Sequence, residues 1–223
     1  MINFTTWQNF GSKFKINDMR SNNDETVNCA GCTTYPCYKG EDCIRGQNFD
    51  KYREAIAKEY EKPENKKILE ASSHIEVEHY MQWNRLEEII GFAKQMGYKK
   101  IGIAHCVGLI NEAKVLKDIL EQSFTVCSIC CKFSGTSKKE YGLTQIRENN
   151  FEAMCNPVGQ AIVLNELKTD LNLIVGLCIG HDILFTQNSK APVTTFIVKD
   201  RITGHNPAAI IYSNYSKRKL INK

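Results

Sequence analysis

Apolar and polar residues follow two different rhythms along this chain, and the change comes near its middle. From Phe49 the stretch "FDKYREAIAKEYEK" carries apolar residues at helical spacing and stops before Pro63, where proline lacks the N–H that would continue a helix. A second helical pattern runs from about Lys66 to Met96, with a break expected near Ser72 and Ser73. Its last section, "RLEEIIGFAKQMG", ends on Gly97, a helix C-cap residue. Beyond Gly97 short apolar runs alternate with helical ones. "YKKIGIAHC", "SFTVCSICC", "LNLIVGLC" and "APVTTFIVKD" read as strands. "NEAKVLKDILEQ", "NPVGQAIVLNELKTD" and "HDILFTQNS" read as the helices between them, the second with Pro157 in its first turn, where the missing donor is not needed. Strands that are nearly all apolar and alternate with helices predict a parallel sheet covered on both faces.

The expected fold is therefore α/β: a three-layer, mostly parallel, Rossmann-like sheet of about four to five strands, preceded by an N-terminal helical region that carries a four-cysteine metal loop. Four regions are expected along the chain. Residues 1–26 form an arm that Trp7, Phe10 and Phe14 could anchor, 27–47 the cysteine loop, 48–83 the helical region and 84–223 the α/β domain.

Composition narrows the class without naming a function. At 223 residues the chain can bury a real core, and its 42 % hydrophobic and 24 % charged residues are ordinary for a globular protein. The net charge of +4, from 29 basic and 25 acidic residues, is too even for a dedicated nucleic-acid binder. No apolar run approaches the roughly twenty residues of a membrane span, and the polar opening lacks a secretory core. The expectation is a cytoplasmic protein with no nucleic acid and no membrane as partner. Reduced thiols then make its ten cysteines candidates for metal ligation or reactivity rather than disulfides.

The cysteines fall into two sets. Cys29, Cys32, Cys37 and Cys43 lie in one compact loop with spacing C-x2-C-x4-C-x5-C, and Gly31, Pro36 and Gly40 supply its turns. Four thiolates from such a loop can enclose zinc or a cubane iron–sulfur cluster, and the absence of two widely separated pairs leans toward a 4Fe-4S cluster, with zinc as the alternative. The other six gather at predicted strand ends and helix starts. Cys106 ends the first strand, Cys127, Cys130 and Cys131 end the second, Cys155 precedes a helix and Cys178 ends the third strand. In an open parallel sheet these ends share one edge, where ligands bind.

Cys106, Cys130, Cys155 and Cys178 are the expected ligands of a second cofactor there, with Cys127 in reserve. Cys131 is the expected bystander, because neighbours on a strand point to opposite faces. Against this stands the plain reading that buried cysteines often only fill space. "VKDRITGHN" adds Lys199, Asp200, Arg201 and His205 to the same edge, and His181 and Asp182 follow Cys178. Cys178, His181, Lys199, Arg201 and His205 are thus candidate catalytic groups for a small, anionic substrate. The segment "GLCIGHD" is also G-x-C-x-G between strand and helix, a nucleophile-elbow pattern with Cys178 as nucleophile. Neither nucleotide-binding glycine fingerprint is present.

Three segments together carry a family resemblance: "CAGCTTYPC", "NRLEEIIGFAKQMGYKKIGIAHCVGLINEAKVL" and the tail from "CNPVGQAIVLNELKTD" through "FIVKDRITGHNPAAIIY". They resemble the cysteine-rich family catalogued as domain of unknown function 1847, over nearly everything from Cys29 to Tyr212. The resemblance implies a metal-binding protein of anaerobic prokaryotes and carries no activity with it. The expected function is an iron–sulfur protein with one or two clusters, acting as a redox or Lewis-acid enzyme on a small molecule or with an electron-transfer partner, the loop cluster feeding electrons to the crevice. A zinc-binding structural or adaptor protein is the alternative, as is a hydrolase or sulfur-transfer protein using Cys178. A homo-oligomer stays open.

Overall fold

The computed structural model describes residues 27–41, 43 and 50–221. The expected arm with Trp7, Phe10 and Phe14 lies outside the described residues. Contacts divide the chain into two compact units, Met1–Lys62 and Pro63–Lys223.

In the first unit, two short 3-10 turns, Cys29–Gly31 and Pro36–Lys39, precede helix α1 (Asp50–Glu61). Asn28 caps the first turn by accepting the Gly31 N–H at 3.0 Å. Tyr35 enters the second turn in left-handed backbone, and Gly40, also left-handed, closes it. α1 is exposed from Tyr52 to Glu61.

The second unit begins with α2 (Pro63–His79) and α3 (Arg85–Met96), which pack on each other. The expected break near Ser72 and Ser73 does not occur. Ser72 returns its hydroxyl to the Ile68 carbonyl at 2.8 Å, an arrangement a helix interior tolerates. The chain breaks instead after His79, where Met81 takes a positive φ of 61°, and Asn84 then opens α3 with a capping box closed by Glu87.

Four strands follow: β1 (Lys100–His105), β2 (Thr125–Cys130), β3 (Leu171–Val175) and β4 (Val193–Ile197). All pair in parallel, in the order β2-β1-β3-β4. The connecting helices are α4 (Ile110–Leu120), α5 (Pro157–Glu166) and α6 (His181–Asn188), and α7 (Ala208–Tyr212) and α8 (Asn214–Ile221) close the chain. This is the mixed α/β, Rossmann-like arrangement that the alternating pattern predicts. Because β1 connects outward to β2 and β3 outward to β4, the strand order reverses between β1 and β3, and doubly wound sheets bind ligands at such a point.

β1 and β3 are buried almost throughout, which is why they read as continuous apolar runs. Ile101, Ile103, Leu164, Leu173 and Phe185 are sealed from solvent, each worth about 1.5–3 kcal/mol of transfer free energy. One polar pair is built into this core. Asn172 on β3 accepts from the Thr169 hydroxyl at 2.8 Å and donates to Ser189 at 2.8 Å. Its register partner on β1 is Gly102, where a Cβ would stand 2.0 Å from the Asn172 amide oxygen. Glycine is required there to let the buried amide in.

Candidate functional site

Three chain segments deliver sulfur to the switch point. The ladder runs one residue past β1, with the Cys106 N–H bonded to Val175 O at 3.0 Å, so Cys106 leaves the sheet beside the end of β3. It runs one residue past β2 as well, where the Cys131 N–H meets His105 O at 2.8 Å. The excursion after Cys131 then folds back on itself. Met154 N–H bonds Thr136 O at 2.8 Å, and Asn156 N–H bonds Cys131 O at 2.8 Å, which brings Cys155 back beside Cys131. Asn156 next caps α5 by accepting the Gly159 N–H at 2.8 Å.

Two buried polar side chains fix this edge, in roles that no sequence pattern marks. Gln160 on α5 is fully buried and donates to Ile129 O at 2.7 Å and His105 O at 3.2 Å, tying the last turns of β1 and β2 together immediately before Cys106 and Cys131. His105 is buried and pairs Nδ1 with its neighbour's carbonyl, Cys106 O, at 3.1 Å.

The sulfurs form a chain with Cys131 in its centre. Cys131, 2 % exposed, lies beside Cys106 and Cys155, near enough for the three thiols to shift one another's titration. It also accepts the Val107 N–H at 3.3 Å. Sharing between Cys106 and Cys155, reinforced by burial, drives the Cys131 thiol well above the ordinary range, so it keeps its proton and donates. Cys106 is lowered to about 5, first by the Cys131 hydrogen bond and then by the Gly108 N–H and the Lys199 ammonium. Cys155 is likewise lowered to about 5, by Cys131 first, then by Lys132 and the nearby His181. One protonated sulfur therefore serves two thiolates.

Cys178 sits half-buried at the same edge, between β3 and α6. Gly176 and Gly180, at φ 67° and 83°, shape its loop, and a Cβ on Gly176 would strike Leu109. The Cys178 sulfur receives Arg201 Nη2 at 3.2 Å, and that guanidinium is held above its ordinary pKa by Cys178 first and by the charges of Cys106 and Cys155. Its carbonyl accepts the N–H groups of His181 and Asp182, which starts α6. His205 is engaged elsewhere, its Nδ1 accepting the Asp200 N–H at 3.1 Å.

The expected crevice thus gathers Cys106, Cys155 and Cys178 with Lys199, Arg201 and His181, while Cys130 and Cys131 exchange roles. Strand alternation puts Cys130 on the opposite face, in register with His105. Cys127 shares the Cys131 face but lies deeper, opposite Gly102. A signal for the exchange was available: Cys127, Ile129 and Cys131 form an all-apolar face, whereas Val126, Ser128 and Cys130 do not.

The N-terminal loop is arranged differently. Cys29 and Cys37 are exposed and Cys32 and Cys43 half-buried. The Cys32 N–H bonds Cys29 O at 3.0 Å, and the Cys32 sulfur accepts the Tyr35 N–H at 3.4 Å. Among the described residues no group of three or more His, Cys, Asp or Glu is drawn into a geometry that could hold a metal ion. Nor, among them, is any helix long and apolar enough to cross a membrane. A separate cavity of about 730 Å³ opens at the other end of the sheet, between Ile75, Trp83, Phe92 and the first residues of β3 and β4, Leu171 and Val193.

Fold and edge together define a doubly wound α/β protein with a cysteine-lined switch point. The chain belongs to the family described as protein of unknown function (DUF1847), which matches residues 44–196 and so takes in every rim cysteine and none of the loop's four. It is 53 % identical over 195 residues to the uncharacterized protein MJ0455 of Methanocaldococcus jannaschii, covering 87 % of this chain and 98 % of that one. No solved structure matches.

Proposed function

We propose that the chain is an iron–sulfur protein whose reactive centre is built on Cys106, Cys131 and Cys155, with Cys178 beside them, and that it acts there on a small molecule. The observation that carries the reading is the gathering of sulfur at the switch point: Cys106, Cys131 and Cys155 arrive from three chain segments and lie beside one another, with the Val107 N–H on the Cys131 sulfur. The surroundings fit an anionic, all-sulfur group. Backbone N–H groups of Val107 and Gly108 already point at sulfur, and Lys132, Lys199 and Arg201 supply positive charge around it. Cys106, Cys131 and Cys155 form no ready-made ligand group, any more than the other described residues do, and would have to close together to hold the group; a bound cluster supplies electron transfer or an open iron acting as a Lewis acid. Cys131 must give up its proton on loading, so binding releases a proton from the rim. Gln160 and His105 hold the strand ends in place throughout. The loop Cys29, Cys32, Cys37 and Cys43 is the second metal centre in this reading, with Tyr35 N–H already donating to Cys32.

The test is iron, zinc and acid-labile sulfide per chain on protein purified without oxygen, with the visible spectrum of the same sample. Iron and sulfide in near-equal amounts, with broad absorbance lost in air, are expected. Stoichiometric zinc without sulfide would overturn the proposal.

A further inference from the structure

Lys199 and Arg201 leave β4 on one short segment and meet two different sulfurs. Arg201 Nη2 is 3.2 Å from Cys178, and the ammonium of the half-buried Lys199 lies near Cys106, across Gly108 from its sulfur. Asp200, between them, is turned into its own loop. Its carboxylate accepts Ile202 N–H at 2.9 Å and Thr203 N–H at 3.1 Å, and the His205 N–H closes the turn on Asp200 O at 2.8 Å. The carboxylate of Asp182 is likewise taken up by the Ile183 N–H at 2.8 Å. The segment's acid is thus withdrawn and its two cations are presented to the rim. Gly108 brings two of these groups together: a Cβ there would be in contact with both Lys199 Nζ, at 3.4 Å, and the Cys106 sulfur, at 3.9 Å.

We propose that Lys199 and Arg201 form a two-point site for a small oxyanion, a carboxylate or phosphate group of the substrate, which they draw toward Cys178. As a statement of substrate class this rests on the rim being the reactive centre, but the recognition itself is testable without metal.

The probes are iodoacetate, which carries a carboxylate, and iodoacetamide, which is neutral, applied to the full-length chain after chelator treatment, with alkylation rates read peptide by peptide. The iodoacetate-to-iodoacetamide rate ratio at Cys178 is expected to exceed that at the exposed Cys37 by about tenfold, the size of a local electrostatic focusing effect. Arg201→Gln and Lys199→Gln should each pull the ratio back toward that of Cys37, Arg201→Lys should retain most of it, and inorganic phosphate should slow iodoacetate more than iodoacetamide. A ratio at Cys178 equal to that at Cys37, or one indifferent to both glutamine variants, would overturn the proposal. So would slow alkylation by both reagents, since no small molecule would then reach the sulfur. Metal and sulfide assayed on the same purification before the chelator is added separate the two claims. A raised ratio without iron or sulfide removes the cluster and leaves the anion site, whereas iron and sulfide with a flat ratio do the reverse.

Discussion

The two cysteine-rich regions differ in what makes them. In the loop, four cysteines within fifteen residues are close because the chain is short there, and local turns capped by Asn28 and Gly40 hold them, largely exposed. At the rim, Cys106, Cys131 and Cys155 are far apart in sequence and meet only because a parallel sheet aligns its strand ends. The loop announces itself by spacing. The rim sets its thiols in a field: Cys106 and Cys155 are lowered beside Cys131, the Val107 N–H donates to sulfur, and Lys132, Lys199 and Arg201 lie nearby. Proximity in sequence is thus a poor guide to which thiols are prepared for reaction, because lowering a thiol's pKa takes fixed donors and charge, and those come from tertiary structure.

If that contrast is right, the largest effect belongs to Cys131. Cys131→Ser is expected to remove the rim's share of bound iron and sulfide, about half of the total when loop and rim are both loaded, whereas Cys130→Ser, on the other face, leaves both near the wild-type level; metal analysis of the two variants side by side checks this. Next comes the scaffold beneath. Gln160→Leu strips the Ile129 and His105 carbonyls of a buried donor and should cost about 1–3 kcal/mol in urea denaturation, with faster alkylation of Cys131 as the edge loosens. Gly102→Ala, which forces a methyl onto the Asn172 amide, should cost a similar amount, about 1–3 kcal/mol.

A separate effect, on pH dependence, follows from proton linkage. Cys106 and Cys155 sit at about 5 in the folded protein against an ordinary value of 9.0, so between these pH values the unfolded chain binds more protons and stability rises with pH. Cys131 is raised, so its own contribution is present below the unfolded value and fades as pH climbs past it. The metal-free protein should therefore gain in denaturation midpoint from about pH 6 to about pH 8.5, and Cys131→Ser should flatten that slope. The smallest effect belongs to the loop. Cys37→Ser, at an exposed position, should move the unfolding free energy of the Pro63–Lys223 unit by no more than about 0.5 kcal/mol.

Much of the fold was legible because helix and strand periods are local. The runs around Ile101, Val126, Leu173 and Thr194 became strands, and Pro157 and Gly97 marked the helix ends they were expected to mark. The helix break was misplaced at Ser72 because a serine can bond back to its own helix, while the real stop depended on Met81 and the Asn84 cap. At the rim the edge itself was legible, since strand ends in a parallel sheet must share it. Which of two adjacent cysteines faces inward was decided by strand parity, and Gln160 looked like one polar residue in an apolar helix. Its partners are carbonyls, which no sequence displays.

The most direct test of the central claim, that the rim is the prepared centre, is iron and sulfide content in a variant with Cys29, Cys32, Cys37 and Cys43 all changed to serine, alone and combined with Cys131→Ser. The loop-free chain should keep iron and sulfide in near-equal amounts and lose both once Cys131 is also removed. Iron and sulfide that vanish with the loop, or that persist without Cys131, would contradict it.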